Sequence, residues 1–483
     1  MGIPSYFSYV LKNHFKIIKH LQQTPCNLLL IDANSFIYDV IHEGKTDIKE
    51  AVYLKIIELI SLVKSKKTFI AFDGVVPLAK MKQQKQRRYK SYLIKNILKK
   101  DGWNTNAITP GTVFMNELDV YLKDKLSKYI YSGPNEKGEG EQKLFAYLKQ
   151  NPTPHTIVYG LDADLIMLGL LHCECGPIYL YRETKYFKYI KGIDEKKNYV
   201  FSVDEMAIEI SNHLYDSPNY IKKGVENYCF LCFLCGNDFL PHFPSINIRN
   251  DGIPFLLDTF KKMNIMNMVD LVNGTTIQWT NVKKLFSEIA NVEKELIEIN
   301  IKWKMGLKVY SKNREDELNN LPLREITEDY LLENYENYYP FLFGQTEHGP
   351  ICKKYLQMLE WTLFYYNGIC KDHYICYEFH LAPLFSSLLN HIPCFNSEEL
   401  LVTNDRKPPS TTAQLLYVLP YADYHLIGDR KVEDFFPQLK CMNFPIHTHF
   451  CKFFWESHVD FNYINLVELE NYILSGLGGG GTS

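Results

Sequence analysis

The stretch HTIVYGLDADLIML (155–168) decides the fold. An apolar, β-branched run ends at a glycine and at once meets two acids, Asp162 and Asp164, spaced i and i+2. Working outward, NLLLID (27–32) and TFIAFD (68–73) repeat the pattern of a strand-like run closed by an acid. AVYLKIIELISLVKSK (51–66) and EQKLFAYLKQ (141–150) read as helices between such runs. This alternation predicts an α/β domain with a mostly parallel sheet flanked by helices. Sites in such sheets form beyond the carboxyl ends of the strands. Three strand ends that each carry an acid can therefore converge.

Seven carboxylates follow apolar runs in the first half: Asp32, Asp73, Glu139 and Glu141 in GEGEQK (138–143), Asp162, Asp164, and Asp238 in CGNDFLP (235–241). Any one DxD or ExE pair, alone, reads as a solvated loop or a charge at a helix N-terminus. Together they read differently, because burying unpaired charges is costly and a convergent set needs a divalent cation. Hard oxygen ligands suit Mg²⁺, with Mn²⁺ as a substitute, and not zinc. Two such ions about 4 Å apart are the usual arrangement for cutting phosphodiesters.

A basic stretch follows Asp73. From Val75 to Lys100 there is no acid, and there are nine Lys or Arg. On a helix Lys80, Gln84, Arg87 and Arg88 are i, i+4, i+7 and i+8 and share one face. A solvated basic face is the plain reading of such a run. Three cations and an amide beside a metal ligand instead form a phosphate pocket, for which the arginine fork supplies bidentate bonds.

Hydrophobic residues are 46% and charged ones 23% of 483, an ordinary globular composition with room for more than one core. Aromatics reach 14%, most of them core. The net charge is −3, which argues against nucleic acid until the seven carboxylates are set aside as ligands, leaving +4. Twelve cysteines without a regular framework indicate a reducing compartment. Cys229, Cys232 and Cys235 have CxxC spacing inside an apolar run and read as core thiols rather than a zinc site. His172, Cys173 and Cys175 do not make a closed site either. No signal peptide, transmembrane stretch or myristoylation pattern is expected.

From about residue 256 the pattern turns helical. KLFSEIANVEKELIEINIKW (284–303) reads as one helix, 314–339 as helix plus exposed acidic loop, and YLQMLEWTLFYYNGIC (355–370) as a buried helix. The expected organisation is a nuclease-like region at 1–255, a helical connecting segment at 256–340, a second helical region at 341–475 packed on the first, and a flexible Gly-rich tail at 476–483.

These stretches resemble the XRN family of 5′→3′ exoribonucleases, relatives of the flap-endonuclease superfamily. The resemblance is ordered along the chain. It runs through MGIPSYF (1–7), LLLIDANS (28–35), FDGVVPLAKMKQQKQRR (72–88), ITPGTVFM (108–115), YSGPNEKGEGEQK (131–143), VYGLDADLIMLGL (158–170) and FLCGNDFLPHFPS (233–245). EWTLFYYNGIC (360–370), FHLAP (379–383) and QLLYVLP (414–420) look like the family's second conserved region. The resemblance implies a PIN/flap-nuclease-like fold. It implies that Asp32, Asp73, Glu139 and Glu141 hold one Mg²⁺, and that Glu141, Asp162, Asp164 and Asp238 hold another. It places Lys80, Gln84, Arg87 and Arg88 in a pocket for a 5′ monophosphate, Asn34 near the terminal nucleotide, and Gly2 close to the site.

Two departures stand out. Tyr38 occupies the position of a family His that stacks on the first base, and a tyrosine ring can do the same. The family's Trp-rich stretch is here KDHYICY (371–377), leaving His373 or Tyr374 as stacking partner, with consequences for processivity. The chain also lacks the long C-terminal extension of the large cytoplasmic members, so a minimal catalytic unit is expected. Its Lys, Asn, Ile and Tyr usage is compatible with an AT-rich viral or protist genome.

The resulting expectation is a monomeric, cytoplasmic, Mg²⁺-dependent enzyme. It degrades single-stranded RNA with a 5′ monophosphate, such as decapped mRNA, to mononucleotides, with the decapping machinery as a partner. One alternative is a structure-specific flap endonuclease or 5′ exonuclease on DNA. That branch needs a Gly-rich hairpin after the last aspartate, where Pro241 and Pro244 stand here. A catalytically silent RNA-binding scaffold is the other, and it would predict loss of a ligand, whereas all seven are present.

Overall fold

A computed structural model of the chain describes residues 3, 5–99, 102–183, 193–194, 196–267, 269–395, 399–427 and 437–475. Gly2 and the tail 476–483 lie outside the described residues.

The three acid-terminated runs are strands of one seven-stranded sheet. Its strands are β1 (Ile18–His20), β2 (Leu28–Asp32), β3 (Lys67–Ala71), β4 (Ile130–Ser132), β5 (Thr156–Tyr159), β6 (Ile178–Arg182) and β7 (Tyr199–Ser202), in the order β1-β7-β6-β5-β2-β3-β4. β4, β3, β2, β5 and β6 pair in parallel, and β7 and β1 add antiparallel pairings at one side. From β2 the chain moves outward through β3 and β4. It then returns to lay β5 on the other flank of β2, so a topological switch point falls between β2 and β5. Open α/β sheets place their crevice there, beyond the carboxyl ends of the strands.

Side chains alternate across the sheet because a strand repeats every two residues. Leu28, Leu30, Phe69, Ala71 and Val158 face one core, and Leu29, Ile31, Ile70, Phe72, Ile157 and Tyr159 face the other. The second core is covered by α2 (Asn34–His42), α3 (Ile48–Val63) and α5 (Val113–Lys125), through residues such as Ile37, Ile56 and Leu118. Asp47 caps α3 by accepting from the Glu50 amide at 3.1 Å, and Thr112 caps α5 by accepting from the Met115 amide at 3.3 Å. The first core is covered by α1 (Tyr6–Asn13), α6 (Gly140–Gln150), α7 (Asp164–Leu171), α8 (Val203–Tyr215) and α9 (Ile221–Phe233). Cys229, Cys232 and Cys235 sit inside it, and burial pushes their thiols up, Cys235 to about 12.

The basic stretch forms α4 (Leu78–Leu98), with Pro77 as its extended N-cap. Pro77 has no hydrogen-bonding side chain, and the Leu78 amide instead donates to the His373 carbonyl at 2.8 Å, so the far region closes this helix end.

The helical half follows with α10 (Gly252–Asn267), α11 (Trp279–Ala290) and α12 (Glu293–Met305). The run 284–303, expected as one helix, is broken between α11 and α12. The break is fastened by Glu293, the first residue of α12, which is buried and accepts from the amides of Phe385 and Ser386 at 2.6 and 3.0 Å. The acidic segment 314–339 is less exposed than expected, because Glu328 is fully buried and ion-paired with Lys304 at 2.5 Å. The expected buried helix is Gly349–Tyr366, with Trp361 and Leu363 fully buried. One hydrophobic core runs unbroken from Ile3 to Leu401. Among the described residues no helix is long and apolar enough to cross a membrane.

Candidate active site

The switch point gathers the acids. Asp32 ends β2, Asp73 follows β3, Glu139 and Glu141 flank the start of α6, Asp162 lies between β5 and α7, and Asp164 begins α7. Asp238 arrives in the loop after α9. Short-range geometry ties them together. The Gly140 amide donates to Asp73 Oδ1 at 2.7 Å, and the Asn34 side-chain amide donates to Asp73 Oδ2 at 2.5 Å. A Cβ on Gly140 would lie 2.9 Å from Asp32 Oδ1 and 3.4 Å from Asp73 Oδ1, so only glycine lets the α6 backbone approach this closely.

Electrostatics show the cost of this convergence. Burial raises the Asp32 carboxyl well above its usual range, and the neighbouring charges of Asp73, Asp162 and Glu139 add to it. Glu141 is raised by burial and then by Glu139, Asp164 and Asp162 against the pull of Lys80. Asp164 is lifted to about 7 by burial and by Asp238. Asp32 Oδ1 is buried without a hydrogen-bond partner. A partnerless buried oxygen within an all-carboxylate set fits a hard divalent cation, which would neutralise the repulsion and complete the coordination.

Lys80 is the cation that the structure itself supplies. Its ammonium forms ion pairs with Glu139 and, at 2.8 Å, with Asp238. Those charges, with Glu141 and Asp164, hold its pKa above the ordinary value despite burial. The α4 face carrying it is largely buried, including Gln84 and Arg88. Arg88 donates from Nε to Thr109 Oγ1 at 2.8 Å, while its Nη1 and Gln84 Oε1 are buried without partners. Burial, reinforced by Arg87, lowers Arg88 to about 9. For Arg87 burial is outweighed by Tyr38, Asp162 and Asp238, and its pKa rises. Tyr38, one turn along α2 from Asn34, is thus within electrostatic reach of Arg87. His373 is bound through its carbonyl to the start of α4, and the Tyr374 hydroxyl donates to the Lys407 carbonyl at 3.1 Å.

Two groups escaped the sequence reading. The Tyr365 hydroxyl donates to Glu139 Oε1 at 2.6 Å, and the Tyr366 hydroxyl donates to Asp164 Oδ1 at 2.9 Å. Both stand at the end of an apolar helix and read as core. Their only sequence signal is the adjacent pair of hydroxyl-bearing rings in FYYNG (364–368).

Fold and site together define the class: an α/β protein whose mostly parallel sheet gathers a buried acidic centre at its switch point. Residues 1–184 match the family model described as the XRN 5'-3' exonuclease N-terminus, and residues 219–321 match the Xrn1 helical domain. The chain belongs to the XRN family. It is 30% identical over 365 residues to 5'-3' exoribonuclease 1 of Saccharomyces cerevisiae, an overlap of 63% of this chain and 24% of the relative. It is 25% identical to 5'-3' exoribonuclease 1 of Homo sapiens, over 88% of this chain and 31% of the relative. The chain thus spans under a third of each of these two proteins. Among solved structures, the catalytic core of Rad2 in complex with DNA substrate overlaps 72% of this chain and 87% of that one. The overlap has 14% identity and a TM-score of 0.35.

Proposed function

We propose that this chain is a 5′→3′ exoribonuclease that hydrolyses single-stranded RNA bearing a 5′ monophosphate, releasing mononucleotides. The observation that carries this reading is Lys80, which joins the cationic face of α4 to Glu139 and Asp238 and so makes the two halves of the site one. In this reading Asp32, Asp73, Glu139 and Glu141 hold one Mg²⁺, and Glu141, Asp162, Asp164 and Asp238 hold a second. Bound there, the ions would activate a water and stabilise the leaving oxygen.

The chain's own residues perform the remaining tasks. Gln84, Arg87 and Arg88, with Lys80, receive the 5′ phosphate, and the buried Nη1 of Arg88 is a donor ready for it. A cap or triphosphate is too bulky, and a 5′ hydroxyl forfeits these charge-assisted bonds. Asn34 orients Asp73, and Tyr38 stacks on the first base. Tyr365 and Tyr366 orient Glu139 and Asp164. The division into a 1–255 region with the metal and phosphate sites, a 256–340 connector and a 341–475 region belongs to the same proposal. So do the monomeric state and recruitment by the decapping machinery. Cytoplasmic placement is supported by twelve free thiols.

The test uses one 3′-labelled single-stranded RNA carrying a 5′ monophosphate, a 5′ hydroxyl or a cap, with and without Mg²⁺. Mg²⁺-dependent loss of the monophosphate form alone supports the reading. Equal cleavage of all three, or cleavage only of a DNA flap, overturns it.

A further inference from the structure

Beside the carboxylate centre lies a second space. A cavity of about 200 Å³ opens beside Asp238 and Arg87 and runs along a different face of α4, past Ala79, Lys82, Gln83, Gln86 and Lys90. That is over ten times the roughly 15 Å³ a single water requires. Its other wall comes from the loop after α9 and from residues around 376–380 and 450–458.

The lining is chemically incomplete on both sides. Both amide atoms of Gln83, Nδ2 of Asn237 and Nδ1 of His380 are buried without partners. Buried polar atoms are ordinarily satisfied by protein or ordered water, so these atoms are donors and acceptors that a ligand in the cavity can take up. Its charge is incomplete too. Lys82 Nζ donates to the Tyr377 carbonyl at 2.5 Å, and Lys90 Nζ to the Trp455 and Ser457 carbonyls at 2.6 Å each. No carboxylate of a described residue is ion-paired with either. Burial accordingly pulls both down to about 8. Asp238 and Glu456 also line the space, but Asp238 is held by Lys80 and Glu456 by Arg249, so the two lysines leave room for an anion. The aromatic rings of Phe239, Phe379, Phe450 and Trp455 also line the space and suit a flat heterocycle.

A nucleotide combines an anion with a planar, hydrogen-bonding ring and so matches this lining. We propose that this cavity binds a nucleoside 5′-monophosphate, the product released beside Asp238. The phosphate would rest against Lys82 and Lys90, and the base would meet the amides of Gln83 and Asn237 between the rings. The product half of this inference rests on the exoribonuclease reading. The binding half does not. The proposed phosphate pocket on Lys80, Gln84, Arg87 and Arg88 adjoins this cavity, and Arg87 borders both, while Lys82, Gln83, Gln86 and Lys90 line the cavity alone.

The experiment is calorimetric titration of the full chain, in EDTA, with AMP, adenosine or inorganic phosphate. It is repeated with Gln83→Leu and Lys82→Met, and in the presence of a saturating 5′-monophosphorylated RNA. Gln83 has no partner to lose, so its leucine variant tests binding rather than folding. The expected result is AMP binding at least tenfold tighter than adenosine or phosphate, weakened at least tenfold by Gln83→Leu, and retained with RNA bound. Failure of AMP to bind, indifference to Gln83→Leu, or complete displacement by the RNA would each overturn the proposal. If the protein cleaves no RNA yet binds AMP in this Gln83-dependent way, the exoribonuclease reading fails and the cavity stands.

Discussion

Asp164 illustrates how strongly single residues of this site depend on charge supplied from elsewhere. Its carboxyl is lifted from 3.8 to about 7 by burial and by Asp238. The folded state therefore holds the proton more tightly than the unfolded chain does, so metal-free stability falls as pH rises from about 4 to about 7. Asp164→Asn should remove its own share of that slope, while the raised carboxyls of Asp32 and Glu141 keep theirs. In EDTA its melting temperature should exceed that of the parent by about 2 °C or more at pH 7 and converge with it near pH 4, measured by calorimetry. Added Mg²⁺ should stabilise only the parent strongly, and the variant should be inactive. Lys80→Met should act in the opposite sense. It strands Glu139 and Asp238, and the cost of breaking a buried pair is about 3 kcal/mol. Preference for a 5′ monophosphate over a 5′ hydroxyl should fall at least tenfold, read from initial rates on the two substrates.

At the scale of elements, the decisive unit is the entrance of α6 between Asp32 and Asp73. Gly140→Ala is compatible with a helix, but its Cβ would meet Asp32 Oδ1 at 2.9 Å. The expected result is a loss of about a hundredfold in kcat, of the order that misplacing a group by 1 Å produces, with little change in melting temperature. α12 supplies a contrasting prediction. Lys304 and Glu328 are both almost fully buried and paired at 2.5 Å, far from the acids in sequence. Lys304→Met should cost about 3 kcal/mol of stability, seen in urea unfolding, because it leaves a buried carboxylate unpaired. Nuclease activity of the folded fraction should be kept.

For the whole molecule, the late helices complete the early sheet. Gln414 accepts from the Val76 amide at 2.8 Å, Gln86 holds Val459 at both its amide and its carbonyl, and the tyrosine pair reaches the acids. A fragment ending at residue 255 would expose the core that runs on to Leu401. Such a fragment should lack a cooperative thermal transition and activity. If it melted cooperatively and cut RNA, the interlocking described above would have no functional weight.

Much of this was legible along the chain. Strand-like runs ending in Asp32, Asp73 and Asp162, and helices between them, define a parallel sheet because period and residue type are local properties. The seven acids and the cationic face of α4 were legible for the same reason, since carboxylates and lysines declare their chemistry one residue at a time. Only the tertiary structure decided which groups satisfy them. Tyr365 lies 226 residues from Glu139, Tyr366 lies 202 from Asp164, and Lys80 lies 158 from Asp238. The break before α12, the burial of Glu328 and the orphaned amide of Gln83 likewise depend on what packs against them. Periodicity says which face of an element is apolar. Partner choice is set by the close packing of distant segments, and no local pattern encodes it.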